Sequence, residues 1–239
     1  MISADHGLAV IYFLQSDLIS TLIEQGNEVI ILTDDNLIEK VNLRFGRSGL
    51  WVEGLRLDKA RSYENEVHPS LQWWLHFLRR AGASRRINLE AVNGFVNQVV
   101  FDAHKKRKLL FPIMRVFIQL MRNSQFIRKI IVKAQSNFTP EIYSDLFEKY
   151  EPNLVISATP GWRLDRYLLR EASHWGIPTA AVVVGWDNTS SYSLPGAPVD
   201  WISCWSEIQM EEMILGSDWD KAQINIGGIP SYDGYINKK

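Results

Sequence analysis

The sequence predicts an α/β protein, a Rossmann-like parallel sheet with a helical insertion at about 69–136. Short, very apolar runs typical of buried parallel strands alternate with amphipathic helical stretches before and after the insertion. The 239 residues are 46% hydrophobic and 22% charged, which is the balance of a globular domain and excludes a disordered or coiled-coil chain. No linker rich in Pro, Gly and Ser divides the sequence, so we expect one domain over 1–228, with 229–239 leading out of it.

The elements before the insertion follow a strand–helix–strand order. Residues 1–4 are typical of the end of a short strand, and Asp5-His6-Gly7 leads into a helical pattern that Gly26 closes. The run Val29-Ile30-Ile31-Leu32 predicts a buried strand. A third strand is expected at 50–57 and a polar loop at 58–68.

The insertion predicts helix almost throughout, with breaks near Gly82 and Asn123. A further helix is expected at 139–150, with Thr139 as its cap, and the strand–helix alternation then resumes. Ser206 and Gln209 have the spacing of a capping box. The later strands are expected at 154–157, 178–184, 199–204 and 223–226, and the later helices at 163–175 and 206–215.

Charge is strongly segregated along the chain. Residues 79–133 carry 13 Lys and Arg against 2 Asp and Glu, a net charge of +11, whereas 1–78 and 134–239 have net charges of −5 and −7. Half of the 26 basic residues therefore lie in this segment. The pattern predicts an anionic partner.

Four basic residues of this segment recur every seven positions: Lys108, Arg115, Arg122 and Lys129. We predict that 105–133 is helical and exposes them as one stripe, opposite an apolar face. The stripe would contact an anionic membrane surface or the phosphates of a substrate; alternatively it is a solvated helix whose apolar face is core. No RNA- or DNA-binding motif accompanies it, so we expect no nucleic-acid partner.

Polar loops follow three of the predicted strands, and ligands bind beyond the carboxyl ends of parallel strands. In the first loop, His6 is the candidate catalytic base and Gly7 a candidate substrate contact at a helix start; alternatively Asp5 only caps the helix. The second loop offers Thr159 as a substrate contact, or is an ordinary turn.

The third polar loop follows the apolar strand that ends at Val184, and it combines an aromatic ring with hydrogen-bonding groups. That mixture suits a sugar or polyol; alternatively the loop is a structural turn. Its candidate substrate-binding residues are Trp186, Asp187, Asn188, Thr189 and Ser190.

Several classes of site are unsupported by the sequence. One cysteine, Cys204, cannot form a cysteine-based zinc site, and the five His show no metal-ligand spacing, so we expect no metal. The G-x-G-x-x-G fingerprint of dinucleotide binding does not occur. We expect no cofactor. No signal peptide and no apolar run of about 18 residues is visible, which favours a cytoplasmic protein, peripheral at the inner face of the cell membrane if the basic helix binds there.

The third loop also carries a family resemblance. Gly185-Trp186-Asp187-Asn188-Thr189-Ser190, followed by Asp200 and Ser206-Glu207-Ile208-Gln209, resembles the amino-terminal half of a GT-B-type transferase family. These enzymes are related to the CDP-glycerol glycerophosphotransferases and surface-polysaccharide glycosyltransferases and, more distantly, to the UDP-N-acetylglucosamine epimerases. The closing segment from Ile226 to Asp233 is similar to the element that leads to the second domain of that fold. Thr189 stands where the family usually has Leu.

The resemblance implies one half of a GT-B fold, the acceptor-side half of a glycosyl- or glycerophosphate-type transferase in cell-surface polysaccharide biosynthesis. Its partners would be a nucleotide-activated donor, held by a missing second domain, and a glycan or lipid-linked acceptor. On this basis the chain is either a fragment of a longer protein or has its second domain on a separate chain, and we expect it to be inactive alone. Two alternatives stay open: a nucleotide-sugar epimerase-like enzyme and a non-catalytic membrane-tethering binding domain.

Overall fold

The computed structural model describes residues 1–103 and 105–232. Over these residues seven strands form one sheet, all parallel, in the order β3-β2-β1-β4-β5-β6-β7. The predicted Rossmann-like α/β class is therefore confirmed. The strands are β1 Ile2–Ala4, β2 Val29–Thr33, β3 Leu50–Gly54, β4 Val155–Ser157, β5 Thr179–Val182, β6 Trp201–Cys204 and β7 Ile224–Ile226.

Helices flank the sheet and form the insertion. They are α1 Gly7–Leu14, α2 Leu18–Glu24, α3 Ile38–Phe45, α4 Leu57–Glu66, α5 Pro69–Ala81, α6 Glu90–Asp102, α7 Lys105–Lys108, α8 Phe111–Asn123, α9 Gln125–Gln135, α10 Ser144–Tyr150, α11 Arg166–His174, α12 Asn188–Ser191 and α13 Glu207–Ser217. Short 3-10 turns lie at Asp35–Leu37, Lys221–Gln223 and Pro230–Tyr232.

The strand order reverses at β1, which pairs with β2 on one side and with β4 on the other. The chain builds the sheet outward to β3 in one direction and, after the insertion, outward to β7 in the other. Such a switch point leaves a crevice at the carboxyl ends of the two central strands, because their following segments depart in opposite directions.

Apolar side chains form three buried clusters. Successive residues of a strand point to opposite faces of the sheet. Accordingly, Leu32 belongs to the cluster on one face and Ile31 to the cluster on the other. The third cluster lies inside the insertion and includes Phe77 and Met121, so the insertion has a core of its own.

The first strand is short, as predicted, but the helix after it is broken at residues 15–17. The Ser16 hydroxyl donates a hydrogen bond to the Tyr12 carbonyl at 2.6 Å. A serine that bonds back to its own helix competes with continuation of the backbone ladder.

The predicted loop at 58–68 is wrong, because α4 occupies most of it. Only Leu57 and Ala60 of this helix are buried, and Arg61 pairs with Asp58 on the exposed side. Two buried positions give too weak a periodic signal for sequence reading.

The helix predicted at 139–150 begins only at Ser144. The carboxylate of Glu171 accepts hydrogen bonds from the backbone N–H groups of Ile142 and Tyr143, both at 2.8 Å, and the Tyr143 hydroxyl donates to the Leu55 carbonyl. These long-range bonds hold the segment outside a helix and override the signal of Thr139 and its following proline.

The insertion breaks at Gly82 and after Asn123, as predicted, and 105–133 is almost entirely helical, with one further break at 109–110. Arg122 is buried, and it donates hydrogen bonds to the Ala81 carbonyl and to Asn93 Oδ1, both at 2.9 Å. Lys108, Arg115 and Lys129 are exposed. The predicted stripe of four exposed cations is therefore wrong, because Arg122 fastens α8 to α5 and α6.

Candidate functional site

A cleft of about 390 Å³ opens at the carboxyl edge of the sheet, where β1, β4, β5 and β6 end. Its wall contains residues from the loops after all four strands. Among them are His6, Thr159, Arg163, Trp186, Asp187, Asn188, Tyr192 and Trp205. The topology at the switch point thus gathers segments that are distant in sequence.

His6 is held by a buried carboxylate. Its Nδ1 lies 2.6 Å from Asp5 Oδ1, and Arg163 Nε donates to Asp5 Oδ2 at 2.8 Å. The Asp5 side chain is 3% exposed and that of His6 20%. An ionised carboxylate only accepts, so Nδ1 carries the proton and Nε2 of the neutral ring keeps its lone pair. This is the arrangement of an oriented general base.

The alternative role of Asp5, as a cap of α1, does not match the structure. The residue at the cap position of α1 is His6, and no side chain accepts a hydrogen bond there. Gly7 is the first residue of α1 and is exposed, but it is not among the residues that line the cleft.

Asp165 is a buried acid directly beneath the cleft, and sequence reasoning missed it. It accepts hydrogen bonds from the hydroxyls of Ser157 and Thr159 and from the Arg163 backbone N–H. Burial, and secondarily the charge of Asp5, raises the pKa of Asp165 to about 6. Thr159 also accepts from the Trp162 N–H, so its hydroxyl is committed within the loop.

The backbone of the Trp186 loop is held by a side chain of α13, and the Trp186 ring is exposed to solvent. Gln209 Nε2, on α13, donates to the carbonyls of Gly185 and Trp186 at 3.2 and 3.0 Å. The sequence predicts only a capping role for Gln209. The Trp186 side chain is one of the most exposed large apolar groups, at 76%. A rigid backbone with an exposed ring suits stacking against a planar or sugar face.

Two predicted contacts of this loop point elsewhere. Thr189 is buried and its hydroxyl donates to the Glu212 carboxylate, while the Ser190 hydroxyl donates to the Asp187 carbonyl. The predicted placement of His6, Trp186, Asp187 and Asn188 along one cleft is confirmed by the geometry, and Thr159 lines it too. Their roles in binding or catalysis stay predictions.

Aromatic rings form one wall of the cleft. Trp162 and Tyr192 stack with their ring centroids 5.2 Å apart and their planes at 17°. Trp162 is buried, so it packs into the wall and does not lie on the outer surface. No sequence pattern links the two rings, because the pairing depends on two loops that meet only in the fold.

Two buried arginines fix the segment after Tyr192. Arg79, on α5, donates to the Leu194 carbonyl at 2.6 Å. Arg170, on α11, donates to the Gly196 carbonyl at 2.9 and 2.7 Å. Arg79 of the insertion and Arg170 of α11 therefore fix the segment that follows Tyr192 of the cleft wall.

Within the part of the chain that the structure describes, no group of three or more His, Cys, Asp or Glu side chains could hold a metal ion. Over the same residues no single helix has the length and hydropathy to cross a membrane, although the bent pair α1 and α2 meets that test by length and composition alone. No protein-family model, no curated protein and no solved structure matches this chain.

Proposed function

We propose that this chain is the acceptor-side part of a glycosyl- or glycerophosphate-type transferase of cell-surface polysaccharide biosynthesis. One observation carries the proposal: the His6 ring, held by Asp5, lines the same cleft as the exposed Trp186. A positioned base beside a stacking surface is what the activation of a sugar or polyol hydroxyl requires.

In the proposed reaction, His6 Nε2 takes the proton of an acceptor hydroxyl as that oxygen bonds to the donor's anomeric carbon or phosphorus. The bond from that atom to the leaving phosphate oxygen breaks, and the nucleotide departs with the electron pair. Asp5 stabilises the imidazolium that forms. Trp186 stacks on the acceptor, and Asp187 and Asn188 bond its other hydroxyls.

The test is an NMR titration of the isotope-labelled 239-residue chain with two acceptor probes, maltotriose and a short poly(glycerol phosphate). We expect either probe to shift the resonances of His6 and the Trp186 indole, and Trp186→Ala to abolish the shift. Trp201→Ala is the matched control, because Trp201 is exposed at the amino end of β6, the other edge of the sheet.

UDP-N-acetylglucosamine is the third probe. Shifts at His6 with this nucleotide sugar, and none with either acceptor probe, would favour the epimerase-like alternative. If none of the three probes shifts the resonances of cleft residues, both the transferase proposal and the epimerase-like alternative are contradicted.

A second candidate function, tethering to an anionic membrane surface, is favoured by the outer side of the insertion. On α8, Ile118 and Met121 are buried, whereas Ile113, Val116 and Leu120 are exposed. Helix α8 therefore has apolar side chains on its solvent-facing surface as well as those that it buries in the core. On α9 the exposed residues are Gln125, Phe126, Lys129, Ile130 and Lys133.

Charge supports this second candidate. No Asp or Glu occurs between Asp102 and Glu141, so the exposed apolar side chains lie in a stretch whose only charges are positive. Apolar groups that insert at the headgroup level, beside Lys and Arg that attract anionic lipid, are typical of helices that lie on a membrane surface. Tethering and transfer are compatible, because the two surfaces use different residues.

A further inference from the structure

A second large pocket lies in the insertion, between α5 and α6. Its volume is about 740 Å³. Its wall combines aromatic rings with two guanidinium groups. The residues that matter here are Trp73, Arg80, Phe95, Val99, Asp102 and Arg107.

Both arginines of this pocket lie over aromatic rings. The Arg80 guanidinium carbon is 4.0 Å from the centre of the Phe95 ring and 5.0 Å from that of Tyr192. The Arg107 guanidinium carbon is 4.0 Å from the centre of the Trp73 ring. Such contacts position a guanidinium without using its hydrogen-bond donors.

Neither guanidinium group makes a hydrogen bond or an ion pair to any residue that the structure describes, and both arginines are half-buried. Arg80 Nε is fully buried and has no partner. Burial lowers the pKa of the Arg80 guanidinium, and the nearby Tyr192 hydroxyl offsets this effect only in part. Buried donors are almost always satisfied in proteins, so an unpaired guanidinium at a pocket calls for an anionic ligand.

We propose that the insertion pocket binds the phosphate group of an organic phosphate ester, with Arg80 and Arg107 as the phosphate-binding residues. Two guanidinium groups match the charge of a phosphate dianion better than that of a single carboxylate. The pocket has room for more than phosphate, and Trp73, Phe95 and Val99 offer apolar contacts to the organic part.

The position of the pocket connects it with the cleft. Arg80 lies over Tyr192, and Tyr192 stacks on Trp162 in the cleft wall. A phosphate held at Arg80 would thus anchor an acceptor whose hydroxyl reaches toward His6; this last step alone rests on the proposed function. The phosphate source is a polyol phosphate or a lipid-linked phosphate, and the experiment separates them.

The experiment is calorimetry on the full 239-residue chain with sn-glycerol 3-phosphate and with geranyl phosphate, beside glycerol and geraniol as uncharged controls. We expect both phosphates to bind and both alcohols to fail. Arg80→Gln and Arg107→Gln should each weaken binding by about tenfold or more, because each removes charge-assisted bonds to phosphate. Tighter binding of geranyl phosphate would identify a lipid-linked ligand, and tighter binding of glycerol 3-phosphate a polyol phosphate.

Matched variants keep the test decisive. Arg115→Gln removes an exposed arginine of α8 and should leave binding unchanged. Arg80→Lys keeps the charge without the planar donor fork and should give intermediate affinity; it replaces Arg80→Gln if circular dichroism shows that variant unfolded. Asp102→Asn should tighten binding, since it removes a carboxylate from the pocket wall.

Equal affinity of wild type, Arg80→Gln and Arg107→Gln for both phosphates, or no binding of either phosphate at millimolar concentration, would overturn the proposal. His6→Gln should leave phosphate binding intact. Phosphate binding at the insertion pocket can therefore be confirmed even if the acceptor titration at the cleft fails. Equally, the acceptor titration can succeed even if no phosphate binds at the pocket.

Discussion

Asp5 has two partners, and both bear on His6. One carboxylate oxygen binds the His6 ring and the other is held by Arg163, so the carboxylate cannot rotate away from the imidazole. Its burial also excludes water from this hydrogen bond. The orientation of the His6 ring thus depends on a neighbour for which the sequence predicts only a helix-capping role.

Replacing Asp5 by asparagine should reverse the tautomer of His6. An asparagine amide N–H would donate to Nδ1 and move the ring proton to Nε2, which removes the lone pair that a base needs. The measurement is the nitrogen chemical shifts of the His6 ring in wild type and Asp5→Asn. Asp58→Asn, which changes an exposed carboxylate, is the control. The same tautomer in all three proteins would contradict the assigned role of Asp5.

Asp165 should give stability a distinct pH dependence. Its folded pKa, about 6, lies above the ordinary value of 3.8, so the protonated acid is favoured in the folded state. Its contribution is complete below about pH 4 and is lost as pH rises through about 6, by up to about 3 kcal/mol. The side-chain amide of the Asp165→Asn variant cannot ionise. The free energy of unfolding of this variant should therefore increase relative to that of wild type as the pH rises from about 4 through about 6.

Urea unfolding at several pH values measures that difference, with Asp58→Asn as the exposed control. A constant difference between wild type and Asp165→Asn across the window would show that Asp165 is ionised in the folded protein throughout. That result would contradict the raised pKa.

The two loops behind the cleft meet at a pair of glycines. A Cβ on Gly196 would lie 1.8 Å from the Gly161 carbonyl oxygen, so only glycine allows this approach. We expect Gly196→Ala to destabilise the protein by about 1–3 kcal/mol, since backbone must move. Thermal or urea unfolding measures the loss. Gly94→Ala, in an open part of α6, should instead stabilise by about 0.5–1 kcal/mol.

Helices α8 and α9 should bind vesicles in a way that depends on both charge and apolar contact. Vesicles of phosphatidylcholine with phosphatidylglycerol should capture the protein in a flotation assay, and salt should weaken capture, because exposed charges are screened within about 8–10 Å at physiological ionic strength. Lys129→Gln with Lys133→Gln should weaken binding to the anionic vesicles. Ile113→Ser with Val116→Ser should weaken it at every salt concentration.

Lys40→Gln, on the exposed side of α3, is the control for the lysine variants. Equal capture by neutral and anionic vesicles would contradict the electrostatic account. Preferential binding to RNA, with no vesicle capture, would assign the basic segment to a nucleic acid instead.

At the scale of elements, the sequence was most informative where one local signal was strong. The apolar strands and the break at Gly82 are predictable because strand burial and glycine act locally. The start of α10 is not, since it depends on Glu171 reaching across the fold. Heptad spacing predicts that Arg122 is exposed, because spacing identifies a helix face and not what that face contacts; in the structure this side chain is bonded to α5.

For the whole molecule, the position of the cleft is predictable from the fold class, but the elements that support it are not. The parallel class implies that loops after strands share one edge, so the meeting of His6 with Trp186 could be foreseen. The contact between the insertion and that edge could not be foreseen, because it depends on which partner each arginine of α5 reaches in the fold. Arg79 and Arg80 lie side by side in sequence, yet one fastens the cleft loop and the other lines the insertion pocket.

The final prediction concerns the activity of the 239-residue chain alone: we expect no turnover of CDP-glycerol or UDP-glucose. Transfer requires that the charge on the departing phosphate be neutralised by cations, amides or metal. In the described part of the cleft wall, Arg163 is the one Lys or Arg, and its positive charge is already paired with the Asp5 carboxylate. The acceptor titration should nevertheless succeed, because stacking and hydroxyl contacts do not need that charge.

A transfer assay with either donor and the two acceptor probes makes the measurement, with His6→Gln and, as control, His174→Gln, an exposed histidine at the end of α11. Turnover by wild type and His174→Gln that is lost in His6→Gln would mean that donor and base lie in this one chain. The neutralising charge would then have to come from the arginines of the insertion pocket, and Arg80→Gln should abolish that turnover as well.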